Sequence, residues 1–157
     1  MLRSQAVATA VLADPRLGLR YDKLIVASYV SLPLEPPTES LNQALLTNGH
    51  TVIVPEYRTV DGSHKPEMSW HRLQPSGRVD EEETAIHRAA VMLIPAIAAG
   101  RDGTRLGKGK GYYDRCLSQL PRHPMGPLRI VLIGRDEFFD SVPVDAHDQK
   151  IDHALIV

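Results

Sequence analysis

The amino-acid sequence predicts a single α/β domain, residues 1–157, in which a largely parallel sheet lies between helices to give three layers (α/β/α). Three observations predict this class. Short β-branched runs typical of buried strands alternate with helical patterns along the chain. One strand–helix–strand unit fits into about thirty residues, which implies a parallel pair joined by a right-handed crossover. The length, with 43% hydrophobic and 24% charged residues, suits one globular core.

The first half of the chain contains the predicted strand–helix–strand unit. Residues 4–13 form a short helical pattern, and residues 23–30 (KLIVASYV) form a compact β-branched strand. Thr38 is the predicted N-cap of a helix that ends at Asn48-Gly49, because glycine commonly follows the last turn of a helix. Residues 50–54 (HTVIV) are the next strand. Ligands are expected where such parallel strands end at their carboxyl termini.

The middle of the chain is less regular. Pro55 is predicted to close the second strand, and residues 58–84 are polar and interrupted by proline and glycine. A short strand or hairpin is expected around residues 66–73. The acidic run 81–83 is interpreted as a solvated face that leads into a short helix through His87.

The second half continues the alternation of strands and helices. Its predicted elements are a strand at 91–94, a glycine-rich loop, a helix after Gly111, a rigid connection at 121–127, a strand at 129–134, a helical turn at 138–142 and a last short strand in the tail.

The glycine-rich loop is the main candidate for a functional site. Five glycines are interleaved with four cations: Gly100, Gly103, Gly107, Gly109 and Gly111 with Arg101, Arg105, Lys108 and Lys110. Glycines let backbone N–H groups approach an anion, and the following helix start adds unpaired donors. The spacing matches neither the P-loop nor the dinucleotide-binding fingerprint, and an ordinary turn is the alternative. The loop therefore predicts a phosphate site of another kind.

Bulk properties exclude several classes of function. A net charge of −1 argues against a nucleic-acid binder that works through bulk positive charge. The single cysteine, Cys116, excludes an internal disulfide and is expected to be a buried, inert thiol. No apolar run approaches the roughly 20 residues that cross a membrane, and the N-terminus lacks a signal-peptide core. A cytoplasmic protein without nucleic-acid or membrane partners is expected.

The stretch RLGKGKGYYDR, residues 105–115, resembles the signature of the 5-formyltetrahydrofolate cyclo-ligase family, also called methenyltetrahydrofolate synthetase. The resemblance extends over roughly residues 20 to 157. It implies conversion of 5-formyltetrahydrofolate to 5,10-methenyltetrahydrofolate, with ATP as co-substrate, Mg²⁺ as cofactor, and ADP and phosphate as products. The partner is then a small reduced folate, and a monomer is favoured.

The resemblance also implies roles for individual residues. ATP contacts fall on one continuous segment: Arg105, Leu106, Gly107, Lys108, Gly109, Lys110, Gly111, Tyr112 and Tyr113. Within it, the expected catalytic residues are Arg105, Lys108 and Lys110. Folate contacts are expected from Val30, Glu35, Lys108, Gly109, Lys110, Gly111 and Tyr112.

Two aspartates are implied as Mg²⁺ ligands, namely Asp114 and Asp148. Asp148 belongs to the motif HDQKID at residues 147–152, in which Asp152 is expected to support structure and His147 remains a secondary candidate ligand. A first-turn acid that stabilises its helix is the alternative interpretation of Asp114. Magnesium is usually held by one or two carboxylates plus phosphate oxygens, which fits the pair.

Four departures from the family pattern bear on the alternatives, and one of them is that the folate contact at Val30 is a generic residue. The N-terminal helix is shorter than in the family and lacks a K-x-x-x-R pattern, with only Arg3 near that place. The segment between Met68 and Arg105 is short, and residues 95–100 lack the family's aromatic and acidic residues. A non-catalytic homologue that acts as an ATP or folate binding module is the main alternative, and a kinase or ligase for another small molecule is the second.

Overall fold

The computed structural model describes residues 2–76, 79–81 and 83–157, with side chains described outside 77–84. The helices are α1 (Leu2–Ala13), α2 (Glu39–Thr47) and α3 (Tyr112–Ser118). The strands are β1 (Ile25–Ala27), β2 (Thr51–Arg58), β3 (His64–Leu73), β4 (Val79–Glu81), β5 (Val91–Pro95), β6 (Ala98–Gly100), β7 (Arg105–Leu106), β8 (Leu128–Ile133), β9 (Phe138–Phe139) and β10 (His153–Ile156). Short 3₁₀ turns lie at Pro15–Leu17, Glu83–Arg88 and Arg135–Glu137.

The main sheet confirms the predicted α/β class. In the described ranges it has seven strands in the order β10-β8-β5-β1-β2-β3-β4. The five strands from β10 to β2 pair in parallel, and only β3 and β4 add antiparallel pairs. The pairing of Ile25 with Thr51 and of Ala27 with Ile53 confirms the strand–helix–strand unit. A largely parallel sheet follows because α2 and the other crossovers return each strand in the same direction.

Helices cover both faces of this sheet, which confirms the three layers. Successive side chains of a strand point to opposite faces, so each strand supplies two cores. On one face α1 and α2 bury Val11 and Leu45 against a cluster that includes Leu93. On the other face α3 buries Leu117 against a cluster that includes Met92. The sheet is thus buried on both sides, as its continuous apolar strands require.

Two sequence predictions about strands are wrong. Pro55 does not close β2, which continues to Arg58 and forms an antiparallel hairpin with β3. Proline is tolerated there because β2 pairs with β1 only as far as Ile53, so no strand on that side needs the missing N–H. Residues 138–142 do not form a helical turn. Phe138–Phe139 is the strand β9, which pairs with β6 in a second sheet, in the order β7-β6-β9.

Smaller differences concern element ends and a helix cap. The strand predicted at 23–30 is regular only over Ile25–Ala27. Thr38 precedes α2 as predicted, but its hydroxyl donates to the Tyr29 carbonyl at 2.5 Å instead of capping the helix. In the run 81–83, Glu82 and the side chains of its neighbours lie outside the described residues. Among described helices, none has the length and hydropathy to cross a membrane.

His50 makes the stability of this fold depend on pH. Its ring is 4% exposed, with Nε2 3.2 Å from the Leu19 carbonyl and Nδ1 accepting from the Leu24 N–H at 3.1 Å. Burial lowers the pKa of His50. Because the unfolded chain then binds a proton more readily than the folded one, we expect the free energy of unfolding to fall as the pH drops below about 6.5. Urea unfolding between pH 5 and 8 measures this.

The variant His50→Gln provides the matched control, since it keeps a polar side chain but removes the titrating group. Its free energy of unfolding should decline less between pH 6.5 and 5 than that of the wild type. Identical pH dependence of the two proteins would contradict the assignment to His50.

Candidate active site

A cavity of about 1090 Å³ opens at the carboxyl ends of the parallel strands. Tyr29 and Val30 follow β1, Tyr57 lies near the end of β2, and Pro95 is the last residue of β5; all four line the cavity. All thirteen residues that the sequence implies for ATP, folate or metal line it as well. The structure therefore brings the candidates together, while their roles remain predictions.

Arg105 anchors the glycine-rich loop to the main sheet. Its Nε and Nη2 donate to the Pro95 carbonyl at 3.1 and 2.9 Å, and its guanidinium lies 5.1 Å from the centre of the Tyr113 ring. Burial lowers the pKa of Arg105, but a guanidinium starts so far above neutrality that it stays charged. A Cβ on Gly107 would lie 2.9 Å from Arg105 Nη2, so glycine permits this close approach. Arg105 thus supplies a fixed positive charge beneath the loop.

The loop beyond Arg105 presents two lysines to solvent and to the cavity. Lys108 and Lys110 are both exposed, and Gly109 between them has a φ of +85°, a conformation that favours glycine. Within the described residues Lys110 makes no ion pair, and its charge together with that of Arg58 lowers the pKa of the exposed His64. The loop combines one buried cation with two accessible ones, which suits a ligand of high negative charge.

Glu35 lines the cavity and pairs with this loop. Its Oε1 accepts from Lys108 Nζ at 2.8 Å, and its Oε2 accepts from the Leu32 N–H at 2.8 Å. The Glu35 side chain is 9% exposed, whereas that of Lys108 is 49% exposed. A carboxylate held by the turn 32–35 therefore pairs with one of the two accessible lysines.

The two predicted metal ligands line the same cavity and lie on segments that a hydrogen bond joins. Asp114, in the first turn of α3, accepts the Gln149 N–H on Oδ1 at 2.9 Å, which joins the helix to the segment that carries Asp148. Asp148 accepts the Asp145 N–H on Oδ2 at 2.9 Å. In the described part of the chain each carboxylate keeps a second oxygen outside these hydrogen bonds. His147 is exposed beside them and also lines the cavity.

Aromatic side chains form a wall that the sequence prediction missed in part. The rings of Tyr57 and Tyr112 lie 5.1 Å apart, and the Tyr112 hydroxyl donates to the Lys65 carbonyl at 2.6 Å. Burial raises the pKa of Tyr57. Tyr112 was predicted as a ligand contact, but Tyr57, Arg58 and His64 were not, because β2 was expected to end at Pro55. The continuation of the β pattern past that proline was the missing signal.

Cys116 lies on α3 outside this cavity. The thiol is half-buried, and burial raises its pKa to about 11. A thiolate is the reactive form of cysteine, so the expectation of an inert thiol is supported.

Fold and cavity together define an α/β protein with a small-molecule site in which lysines of one loop and two carboxylates line the same space. The model of the 5-formyltetrahydrofolate cyclo-ligase family matches residues 16–157. The chain therefore belongs to the 5-formyltetrahydrofolate cyclo-ligase family, whose members are ligases. This confirms the resemblance that the loop signature indicated.

Relatives and solved structures agree with this assignment. A 5-formyltetrahydrofolate cyclo-ligase of Mycolicibacterium smegmatis is 30% identical over 151 residues, which cover 88% of this chain and 76% of the relative. The mouse 5-formyltetrahydrofolate cyclo-ligase is 28% identical over 146 residues, or 83% of this chain and 71% of the relative. The solved structure of Aquifex aeolicus 5,10-methenyltetrahydrofolate synthetase superposes with a TM-score of 0.73 and has 25% sequence identity. The match covers 98% of this chain and 77% of that one. A Mycoplasma pneumoniae 5,10-methenyltetrahydrofolate synthetase, 21% identical with a TM-score of 0.68 over 97% of this chain and 83% of that one, shares the fold.

Proposed function

We propose that this protein cyclises 5-formyltetrahydrofolate to 5,10-methenyltetrahydrofolate, using ATP and releasing ADP and phosphate. The observation that carries the proposal is one cavity in which the family's cationic loop, two carboxylates and an aromatic wall meet. The cations suit a triphosphate, the carboxylates suit its metal ion, and the aromatic wall suits a flat heterocycle.

The chemistry requires positioning and charge stabilisation more than a protein nucleophile. The formyl oxygen attacks the γ-phosphorus of ATP, the bond to the leaving ADP oxygen breaks, and an imidate phosphate forms. The neighbouring N10 then attacks the formyl carbon and the five-membered ring closes. N10 gives up its proton, and phosphate leaves with the former formyl oxygen and takes up that proton. In this scheme Lys108 and Lys110 bind the phosphate oxygens on which negative charge shifts, with Arg105 as a fixed charge beneath them.

The donor set at Asp114 and Asp148 fits magnesium. The described residues contain no group of three or more His, Cys, Asp or Glu side chains that would make a complete protein cage. Two carboxylates with free oxygens are what Mg²⁺ usually takes from a protein, the rest coming from water and substrate phosphates. When bound, the ion would neutralise phosphate charge, and Asp114 and Asp148 would hold it.

The folate is proposed to lie between Glu35 and the tyrosine wall. Val30 is 65% exposed at the rim and offers an apolar contact, and Tyr112 offers a ring face. Gly109 and Gly111 line the same cavity, and their backbone groups are proposed to contact both substrates. A cytoplasmic location, a monomeric state and the shortened N-terminal helix remain predictions.

The direct test is spectrophotometric. Purified protein is mixed with 5-formyltetrahydrofolate and Mg²⁺, with and without ATP, and the near-ultraviolet absorbance of the methenyl product is followed. An ATP-dependent increase is the expected result. A flat trace from protein that unfolds cooperatively would overturn the proposal and favour the binding-module alternative.

The Glu35–Lys108 ion pair leads to a further prediction. Glu35→Gln should raise the affinity for a non-hydrolysable ATP analogue, measured by calorimetry without folate, by about 2- to 5-fold. The reason is that the phosphates compete with Glu35 for Lys108, which is half exposed and paired at 2.8 Å. The same variant should bind 5-formyltetrahydrofolate more weakly, because it loses the carboxylate at the rim.

The matched control is Glu39→Gln, which removes an exposed carboxylate in the first turn of α2. Its affinity for the analogue should equal that of the wild type. An affinity of Glu35→Gln at or below the wild-type value would refute competition for Lys108.

A further inference from the structure

Arg129 is a buried cation on β8 that the proposed chemistry does not use. Its side chain is 0% exposed, and it is the second residue of the strand, on the face covered by α3. Nη2 donates to the carbonyls of Leu117 and Leu120 at 3.1 and 3.2 Å, at the carboxyl end of α3. Nη1 donates to the Lys150 carbonyl at 3.1 Å. One guanidinium therefore holds two separate segments of the chain.

These two segments are the ones that carry the carboxylates of the cavity. Asp114 lies at the start of α3, and Asp148 lies two residues before Lys150. Asp152, two residues after Lys150, accepts the Arg129 backbone N–H on Oδ2 at 2.8 Å and returns its own N–H to the Arg129 carbonyl at 2.9 Å. β8 thus holds the segment 148–152 through both the side chain and the backbone of Arg129.

The only other side-chain hydrogen bond between these segments, among the described residues, is the one from the Gln149 N–H to Asp114 Oδ1. The acceptor of this hydrogen bond is the Asp114 carboxylate, which is also the predicted metal ligand. The bond therefore does not position that carboxylate independently of metal binding. Arg129 joins the same segments through hydrogen bonds to main-chain carbonyls, so it leaves the carboxylate oxygens unoccupied. The Ile151 N–H also donates to the Gly103 carbonyl at 3.0 Å, so Arg129 is one of the contacts that hold the segment with Asp148, and it is the one that also holds α3.

We propose that Arg129 is a positioning residue that sets the distance between Asp114 and Asp148 and so tunes the affinity of this pair for a divalent cation. The cation-binding part rests on the proposed function. A purely packing role fits poorly, because Nε of Arg129 is buried without a hydrogen-bond partner in the described structure. Burying a charge is costly, and an apolar side chain would fill the position with less penalty. The forked shape of arginine is what reaches both segments at once.

The experiment compares Arg129→Lys and Arg129→Met with the wild type. Calorimetry measures the dissociation constant of Mg²⁺ in the presence of a non-hydrolysable ATP analogue, and separately that of the analogue without metal. We expect the Mg²⁺ dissociation constant to rise about 10- to 100-fold, the range seen when residues behind metal ligands are replaced. Metal-free affinity for the analogue should change less than about 2-fold, since the lysine loop is untouched.

A second readout needs no ligand. Hydrogen exchange of the Gln149 amide should accelerate at least about 10-fold in Arg129→Lys, because its hydrogen bond to Asp114 depends on the spacing of the two segments. Amides in β5 should keep their wild-type exchange. Arg20→Met is the control: it removes an exposed arginine that does not line the cavity, and it should match the wild type in both readouts.

The outcomes separate this inference from the proposed function. Unchanged Mg²⁺ affinity and unchanged Gln149 exchange in a folded variant would overturn the positioning role. If Arg129→Met does not fold, Arg129→Lys decides, because it keeps the buried charge but reaches fewer carbonyls. If the wild type binds neither metal nor analogue, the proposed function fails, and the exchange at Gln149 still decides whether Arg129 holds the two segments in register.

Discussion

Lys110→Ala is expected to lower kcat about 100-fold while leaving the midpoint of thermal unfolding almost unchanged. Lys110 is exposed, makes no ion pair with described residues and lines the cavity, so its charge contributes little to the fold. In the proposed reaction that charge meets phosphate oxygens as negative charge shifts between them. Steady-state kinetics with saturating ATP and folate measure the effect.

The matched control for Lys110→Ala is Lys23→Ala. Lys23 is an exposed lysine just before β1, at the amino-terminal end of the strand, whereas the cavity lies at the carboxyl ends. Its Nζ donates to the Asn48 carbonyl. The Lys23→Ala variant removes the same charge and should retain the wild-type kcat. A wild-type rate in Lys110→Ala would remove that residue from the catalytic set and leave Lys108 and Arg105 as the candidate cations.

Asp114→Asn is expected to weaken the apparent affinity for Mg²⁺ about 10- to 100-fold and to lower turnover at limiting metal. Asparagine keeps an oxygen that can accept the Gln149 N–H, so the link between α3 and the segment 148–152 is preserved. What is lost is one negative charge in the part of the cavity where the metal is proposed to bind. A Mg²⁺ titration of the reaction rate measures the shift.

The control for this charge removal is Asp140→Asn. Its carboxylate is 99% exposed and pairs with Arg101 at 3.2 Å, and it does not line the cavity. Its metal titration should overlay that of the wild type. An unaltered titration for Asp114→Asn would exclude that carboxylate as a ligand and leave Asp148 as the single acidic candidate of the pair.

The local sequence pattern was sufficient to predict much of the fold, because the parallel strands are short, apolar and separated by clear turn signals. The strands β5 and β8 and the helix α3 begin within two residues of their predicted starts. The errors fall where the partner is distant in sequence. β9 consists of Phe138–Phe139 and forms because it pairs with β6, almost forty residues earlier. No local periodicity of the sequence indicates that pairing.

In the candidate site, too, local motifs could be predicted from the sequence and contacts between distant residues could not. The loop from Arg105 to Tyr113 is one continuous motif, so the sequence could place it at a cavity on its own. The pairing of Glu35 with Lys108 spans 73 residues, and the contact of Tyr57 with Tyr112 joins a hairpin to a helix start. Such contacts arise only when the sheet assembles, so they could not be predicted from spacing.

The position of Trp70 gives this protein an internal optical probe. It is the only tryptophan in the sequence, lies on β3 and is 3% exposed. It packs in the same cluster as Tyr113 and Leu117 of α3, the helix that directly follows the cationic loop. The indole fluorescence of this protein is therefore emitted by a single side chain whose surroundings include that helix. Any rearrangement of the loop that shifts α3 changes the emission of a natural chromophore, so ligand binding can be followed without attaching a dye.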